Sequence, residues 1–204
     1  MSNSQQNVQA NRKEQAVYLQ SGDPTKERRP ATDGLGNADS YGPGQLGQRF
    51  SAPDSTTGYA ADWQIVKTDS VMDTLPYDGA VAWWLDRAAY LVTTNVTAAG
   101  RGNRAGIFRD SDAPQDPTVH NIGLSQIICI QKKGVGVQVN FVAGPVADPT
   151  AAGLFVIPSA TAAQADCLAA GTAAIYPPIG VSTGAIDAVA VDYAAVDVDV
   201  DDNV

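Results

Sequence analysis

From Asp62 onward the chain is written in strand-length phrases. Apolar residues recur with a period of two or fill short runs, and glycine or proline closes most phrases. A period of two belongs to an extended strand with one buried face. Such phrases at intervals of about 8–15 residues, separated by turn residues, point to an all-β sandwich or barrel. Trp63-Gln64-Ile65-Val66-Lys67 alternates, Ala80 to Leu85 is an apolar run holding Trp83 and Trp84, and Tyr90 to Thr94 is aromatic and β-branched. Gln126 to Gln131 is apolar on both faces and reads as a central strand. Lys132-Lys133-Gly134 then predicts a tight turn, with Val135, Val137, Val139 and Phe141 on one face of the returning strand. Gly153 to Ile157 gives another strand, and near the end Val196, Val198 and Val200 alternate with Asp197, Asp199 and Asp201. Residues 160–170, opened by Ser159 or Thr161 and closed by Gly171, predict a short helix.

The first forty residues are of another kind. Residues 8–20, with Val8, Ala16, Val17 and Leu19, predict a short helix ended by Ser21-Gly22. The stretch that follows is rich in Gly, Pro and Asp and offers little to bury. The organisation expected is an extended N-terminal arm over 1–40 containing that helix, a hinge or linker over 41–61, and a β-rich domain over 62–204. An arm so poor in apolar residues is expected to order through contacts with other chains. Its candidate partner-binding residues, with those of the hinge, are Arg12, Tyr18, Leu19, Arg28, Arg29, Tyr41, Leu46 and Phe50. A chain of 204 residues, 44% of them hydrophobic, is large enough to bury about 70% of its unfolded surface without staples.

Charge placement narrows the partners. The net charge is −9, yet residues 1–40 balance five basic against five acidic side chains. Lys133 is the last basic residue, and eight aspartates follow it. Such a surface repels a phosphate backbone, whose binding needs clustered Lys and Arg, so nucleic acid is not an expected direct partner. No run approaches the ~18 apolar residues of a membrane helix, so no membrane partner is expected. The opening MSNSQQNVQA lacks the apolar stretch of a secretion signal, which predicts cytosolic synthesis with Cys129 and Cys167 both reduced.

Catalytic chemistry finds little footing. The single histidine, His120, sits in the loop DAPQDPTVHN without a nucleophile elbow to serve. The Gly100–Gly106 loop carries two arginines but lacks the order and the Lys-Ser/Thr ending of a phosphate cradle. Aspartates at alternate positions of one strand lie about 7 Å apart, too spread for one calcium ion, and read as a solvated face. Adjacent Trp83 and Trp84 point to opposite sheet faces, one to a core and the other to an edge or interface. No enzyme, cofactor or metal is expected.

Residues 104–181 carry a resemblance. Arg104-Ala105-Gly106-Ile107-Phe108 opens it, and Ile130-Gln131-Lys132-Lys133-Gly134 with the alternating valines follows. Asp148 to Val156, holding Ala152-Gly153-Leu154-Phe155-Val156, comes next, and Ile179-Gly180-Val181-Ser182 closes it. This succession resembles the capsid decoration (head auxiliary or cement) proteins of tailed bacteriophages. The pattern departs at 109–121, where RDSDAPQDPTVHN is longer and more acidic than a plain turn, and residues 1–40 have no counterpart in it. The resemblance implies a β-rich virion protein on the capsid outer surface, assembled in the host cytoplasm. Its implied partners are the major capsid protein of the shell and copies of itself, with a trimer favoured. The alternatives are another β-rich viral assembly subunit (major capsid component, tail or fibre protein) or a carbohydrate-binding module.

Overall fold

A computed structural model describes residues 7–9, 16–19, 21–31, 46–95, 103–142, 152–168, 176–184 and 193–200. In those residues the chain is all-β apart from one 3-10 turn. The strands are β1 (Asn7–Gln9), β2 (Ala16–Tyr18), β3 (Arg28–Pro30), β4 (Arg49–Pro53), β5 (Ala60–Thr68), β6 (Val81–Asp86) and β7 (Leu91–Thr93). They continue as β8 (Arg104–Phe108), β9 (Gln126–Asn140), β10 (Phe155–Pro158), β11 (Ala165–Cys167), β12 (Gly180–Ser182) and β13 (Tyr193–Asp199).

The architecture turns on β9. Ile130 and Gln131 pair with both β5 and β8, so these two strands flank β9 on opposite edges. The pairings β8–β6, β6–β7 and β7–β5 then close a ring of five strands, with β5–β7 its one parallel pair. Every strand of the ring contributes to one apolar cluster that fills it: Val66, Ala82, Trp84, Val92, Ala105, Ile128 and Ile130 among others. Further along, β9 pairs with β13, and β12, β10 and β11 extend that sheet. A parallel bridge from Phe141 to Ala165 draws the far edge back toward β9. The second core this creates holds Val137, Val139, Phe141, Val156, Ile179, Val196 and Val198, packed with Trp83 and Ile107 from the ring.

Strands β5, β6, β7, β10 and β13 fall where the alternation and apolar runs predict them, and β8 and β12 fall within the stretches that carry the resemblance. On β13 the pattern holds to the residue, with Val196, Val198 and Val200 buried and Asp197 and Asp199 exposed. Several expectations fail. The tight turn at Lys132-Lys133-Gly134 is absent, because β9 runs through it as a single strand of 15 residues. The register against β13 passes from Val137↔Val196 to Gly134↔Val198, three steps on β9 for two on its partner. That surplus residue is a β-bulge, with Gly136 at φ 65°. It bends the strand from one core toward the other and leaves Val135 exposed while Val137 and Val139 stay buried.

Among the described residues of 8–20 the expected helix is replaced by the β1–β2 pair, in register Val8↔Val17. Residues 10–15 and 20 lie outside the described residues. The helix expected over 160–170 gives way to β11. Pairing with β10 buries Ala165 and Cys167 at a period of two, and the small helix preference of alanine does not resist it. Trp83 and Trp84 do point to opposite faces, but both are buried, one in each core. Cys129 and Cys167 are both buried, and neither forms a disulfide.

Gly106, on β8, lies against the backbone of β9. A β-carbon there would lie 2.6 Å from the carbonyl oxygen of Gln131, a backbone atom that cannot swing aside. Gly106→Ala is expected to cost about 2–3 kcal/mol by forcing β8 from β9. At Gly136 a β-carbon meets open space, so Gly136→Ala should cost only about 1–2 kcal/mol for its left-handed backbone. Urea unfolding of the two variants checks the order.

Candidate functional site

The chemistry-bearing residues of the described chain gather where the N-terminal segment meets the ring. Asp23 opens a 3-10 turn (Pro24–Lys26) by accepting the Thr25 N–H at 2.9 Å, and proline follows with its φ preset. The chain then extends into β3, which pairs antiparallel with β9 through Arg28↔Ile128, Arg29↔Ile127 and Pro30↔Gln126. Ile127 and Ile128 also pair with β5, so β3 occupies the edge of β9 that β5 leaves open. The segment 21–31 is therefore a strap laid along the ring.

Extended backbone sends alternate side chains to opposite sides, and the strap uses both. Glu27 and Arg29 turn inward and pair at 2.5 Å with essentially no exposure. Ser21 adds its backbone N–H and its hydroxyl to the other Glu27 oxygen, at 3.1 and 3.0 Å. Arg28 turns the other way, pairing with buried Asp110 and, at 3.1 Å, with Asp112, which Lys26 also meets at 2.7 Å. The Thr25 hydroxyl reaches Ser55 and Ser111 at 2.8 and 2.7 Å. Ahead of the strap, Leu19 is wholly buried among Phe50, Trp63, Ile65, Ile127 and Cys129.

Behind this surface lies a second layer of buried charge. Arg109 contacts Asp54 at 3.4 Å and Asp78 at 3.6 Å, all three without side-chain exposure, and donates to the Gln138 carbonyl at 3.4 Å. Asp78 accepts the backbone N–H of Asp110 at 2.8 Å and of Gln115 at 3.2 Å. Burial nonetheless raises the Asp78 pKa, opposed by the Arg109 charge and these bonds. Tyr193 donates to the Asp78 carbonyl at 2.9 Å and Tyr77 to Asn140 at 3.1 Å. Burial pushes the Tyr77 hydroxyl up to about 12 and raises Tyr193 as well. At the surface, hydrogen bonds from Lys26 and Arg28 hold Asp112 below the usual carboxylate range.

Compared with protein-family models, curated proteins and solved structures, the chain finds no match. Its site has to be judged on geometry.

Of the residues expected to bind a partner, Leu19 and Phe50 are core, and Leu46 is half-buried against them. Arg29 is buried with Glu27, and Arg28 is engaged with the ring. Tyr18 lies in β2, with its side chain outside the described residues, as are Arg12 and Tyr41. The expectation that the arm orders only through other chains is thus corrected for its described part. Residues 19 and 21–31 dock in cis because Leu19 finds an apolar seat and β9 has an open edge. Within the segment expected as hinge or linker, Arg49–Pro53 is a sheet strand paired with β5. Residues the sequence did not single out, namely Asp54, Asp78, Arg109, Asp110 and Asp112, form the other half of the site. The last three open the acidic loop 109–121 that departs from the decoration-protein pattern.

Magnitudes rank the contacts. Burying Leu19 contributes about 1.5–3 kcal/mol, whereas an exposed ion pair such as Lys26–Asp112 is screened by solvent and contributes far less. Leu19 and the backbone ladder hold the strap, and the outer charges set its orientation. Leu19→Ala is expected to cost about 2–5 kcal/mol and to speed amide exchange at Arg28 and Arg29. Arg109→Met strands two buried carboxylates and is expected to cost about 3–5 kcal/mol in urea unfolding. Because the Asp112 pKa is depressed on folding, its contribution is present above its ordinary value near 4 and is lost as pH falls through the lowered one. The protection of the strap amides, measured against an unstructured peptide at the same pH, should therefore fall in acid, and Asp112→Asn should flatten that part of the pH response.

Proposed function

We propose that the chain is a structural protein of a virion, a capsid decoration or cement protein that binds the outside of an icosahedral phage head and stabilises it. The observation that carries this reading is the convergence of the decoration-like stretches on one core. Ile107 from the first, Val137 and Val139 from the second, Val156 from the third and Ile179 from the last all lie in the same cluster. The stretches that prompted the resemblance thus do a common packing job, although β9 continues through Ile130 to Gly134 where a hairpin turn was expected. On this reading the partners are the major capsid protein and further copies of the chain, and the protein stabilises by binding rather than by turnover.

The carbohydrate-binding alternative loses its main support. A sugar platform needs an exposed aromatic face, and Trp63, Trp83 and Trp84, the only tryptophans, are all buried. The buried charges also favour a scaffold, since Asp54 and Asp78 are committed to Arg109 and to backbone donors.

The test compares shells of the particle that carries the chain, prepared with and without it, by heating while DNA release is followed. A ligand that binds only the intact shell must raise its melting point. Shells bearing the chain are expected to release DNA at the higher temperature, and equal release curves with full occupancy would overturn the cement role. The variant Asp197→Asn/Asp199→Asn, altered on the exposed face of β13, is expected to bind shells as the parent does. Exposed charges there are screened within about 8–10 Å at physiological salt.

A further inference from the structure

The strap has the properties of a ligand that happens to share a chain with its receptor. It is internally organised, by Asp23 on Thr25, Ser21 on Glu27 and Glu27 on Arg29. Its receptor is equally defined: the Gln126–Ile128 edge of β9, the carboxylates of Asp110 and Asp112, and the seat of Leu19 between Phe50, Trp63 and Ile127. The described strap ends at Ala31 and the described chain resumes at Leu46, so fourteen residues, 32–45, join the two. Fully extended, that connection spans on the order of 45–50 Å.

We infer that this strap is exchangeable between copies, the slot on β9 accepting segment 21–31 and Leu19 of a second copy of the same chain. Every contact made in cis is reproduced in trans, so the choice is set by concentration alone. A connection of this length is under no compulsion to open, unlike the short strained hinges that drive domain swapping. It gives the chain's own strap an effective concentration of about millimolar. A domain of this size has a radius of gyration of about 17 Å. Touching copies therefore lie about 40 Å apart, a local concentration on the order of 10 mM. The strap closes on its own ring in dilute solution and on a neighbour's where copies are packed together. The inference rests on the assembly reading only in supplying such neighbours.

The register provides the probe. The Ala31 N–H donates to the Ser125 carbonyl at 2.8 Å, which makes Pro30↔Gln126 the next, non-hydrogen-bonded pair. Such pairs bring their α-carbons to about 4.5 Å, within disulfide range. Pro30 is exposed and Gln126 partly so, and both native cysteines are buried. Full-length Pro30→Cys/Gln126→Cys is equilibrated at about 10 μM and at about 1 mM, oxidised with diamide and run on a non-reducing denaturing gel. An equal mixture of isotopically light and heavy protein identifies interchain bonds by mass. Linkage within chains is expected to exceed 90% at the lower concentration, as ~1% of the effective concentration demands. About half the linkage should lie between chains at the higher one. Linkage that stays within chains at 1 mM overturns the exchange, and no linkage at all overturns the docking register. Sedimentation at the same concentrations separates the two ideas: copies that associate while linking only within chains leave the assembly reading standing and remove the exchange.

Discussion

One strand belongs to two cores, and most of the structure follows from that. The first half of β9 must be apolar on both faces, because Ile128 and Ile130 fill the ring while Ile127 and Cys129 face the strap. The second half must redirect its valines to the other core. A straight strand cannot do both, since a period of two fixes which side each residue faces. The surplus residue beside Gly136 resolves the conflict by bending the strand and resetting its facing. Lys132, deep in the ring, shows how little freedom remains: its ammonium lies 5.5 Å from the centre of the Trp84 ring and donates to the Ala105 carbonyl.

The buried charges belong to the same scheme. Where β3, the loop after β4, the loop before β6 and the acidic loop 109–121 converge, the backbone turns away from the ladder and leaves donors to be satisfied. Asp54 and Asp78 accept several of them, and Arg109 balances the two carboxylates. A buried pair of this kind adds little net stability compared with an apolar replacement, but removing one member is costly. Its value is in fixing one arrangement of four converging segments.

The legible parts of the sequence were those in which a local pattern and the final burial agree. β13 was readable because its valines and aspartates alternate in step with the sheet. The failures share a cause: the decisive partner is far away in sequence. Gly134 signals a turn locally, but β13 pairs with it opposite Val198 and makes it part of a bulge, while β5 pairs up to Lys133 beside it. Residues 160–170 look helical until β10 offers a ladder. At the site, Leu19, Arg28, Arg29 and Phe50 were noticed as belonging together, yet their partner proved to be the same molecule. The excess acidity of 109–121 was the only sign that a cationic segment had to return there.

The strap's seat exists only after β9 has been made, and this bears on how the chain leaves the ribosome. Leu19 precedes Cys129 by 110 residues, the difference of their positions. At about 5–20 residues per second, that interval lasts roughly 5–20 s. From Trp63 on, 66 residues before Cys129, Leu19, Phe50 and Trp63 are all synthesised and waiting, with no β9 to complete their core. On crowded polysomes, nascent segments from neighbouring ribosomes share that interval, so an apolar anchor needed late is a liability early. The charged residues beside it, Asp23, Lys26, Glu27, Arg28 and Arg29, then act as gatekeepers that keep a waiting segment from premature aggregation.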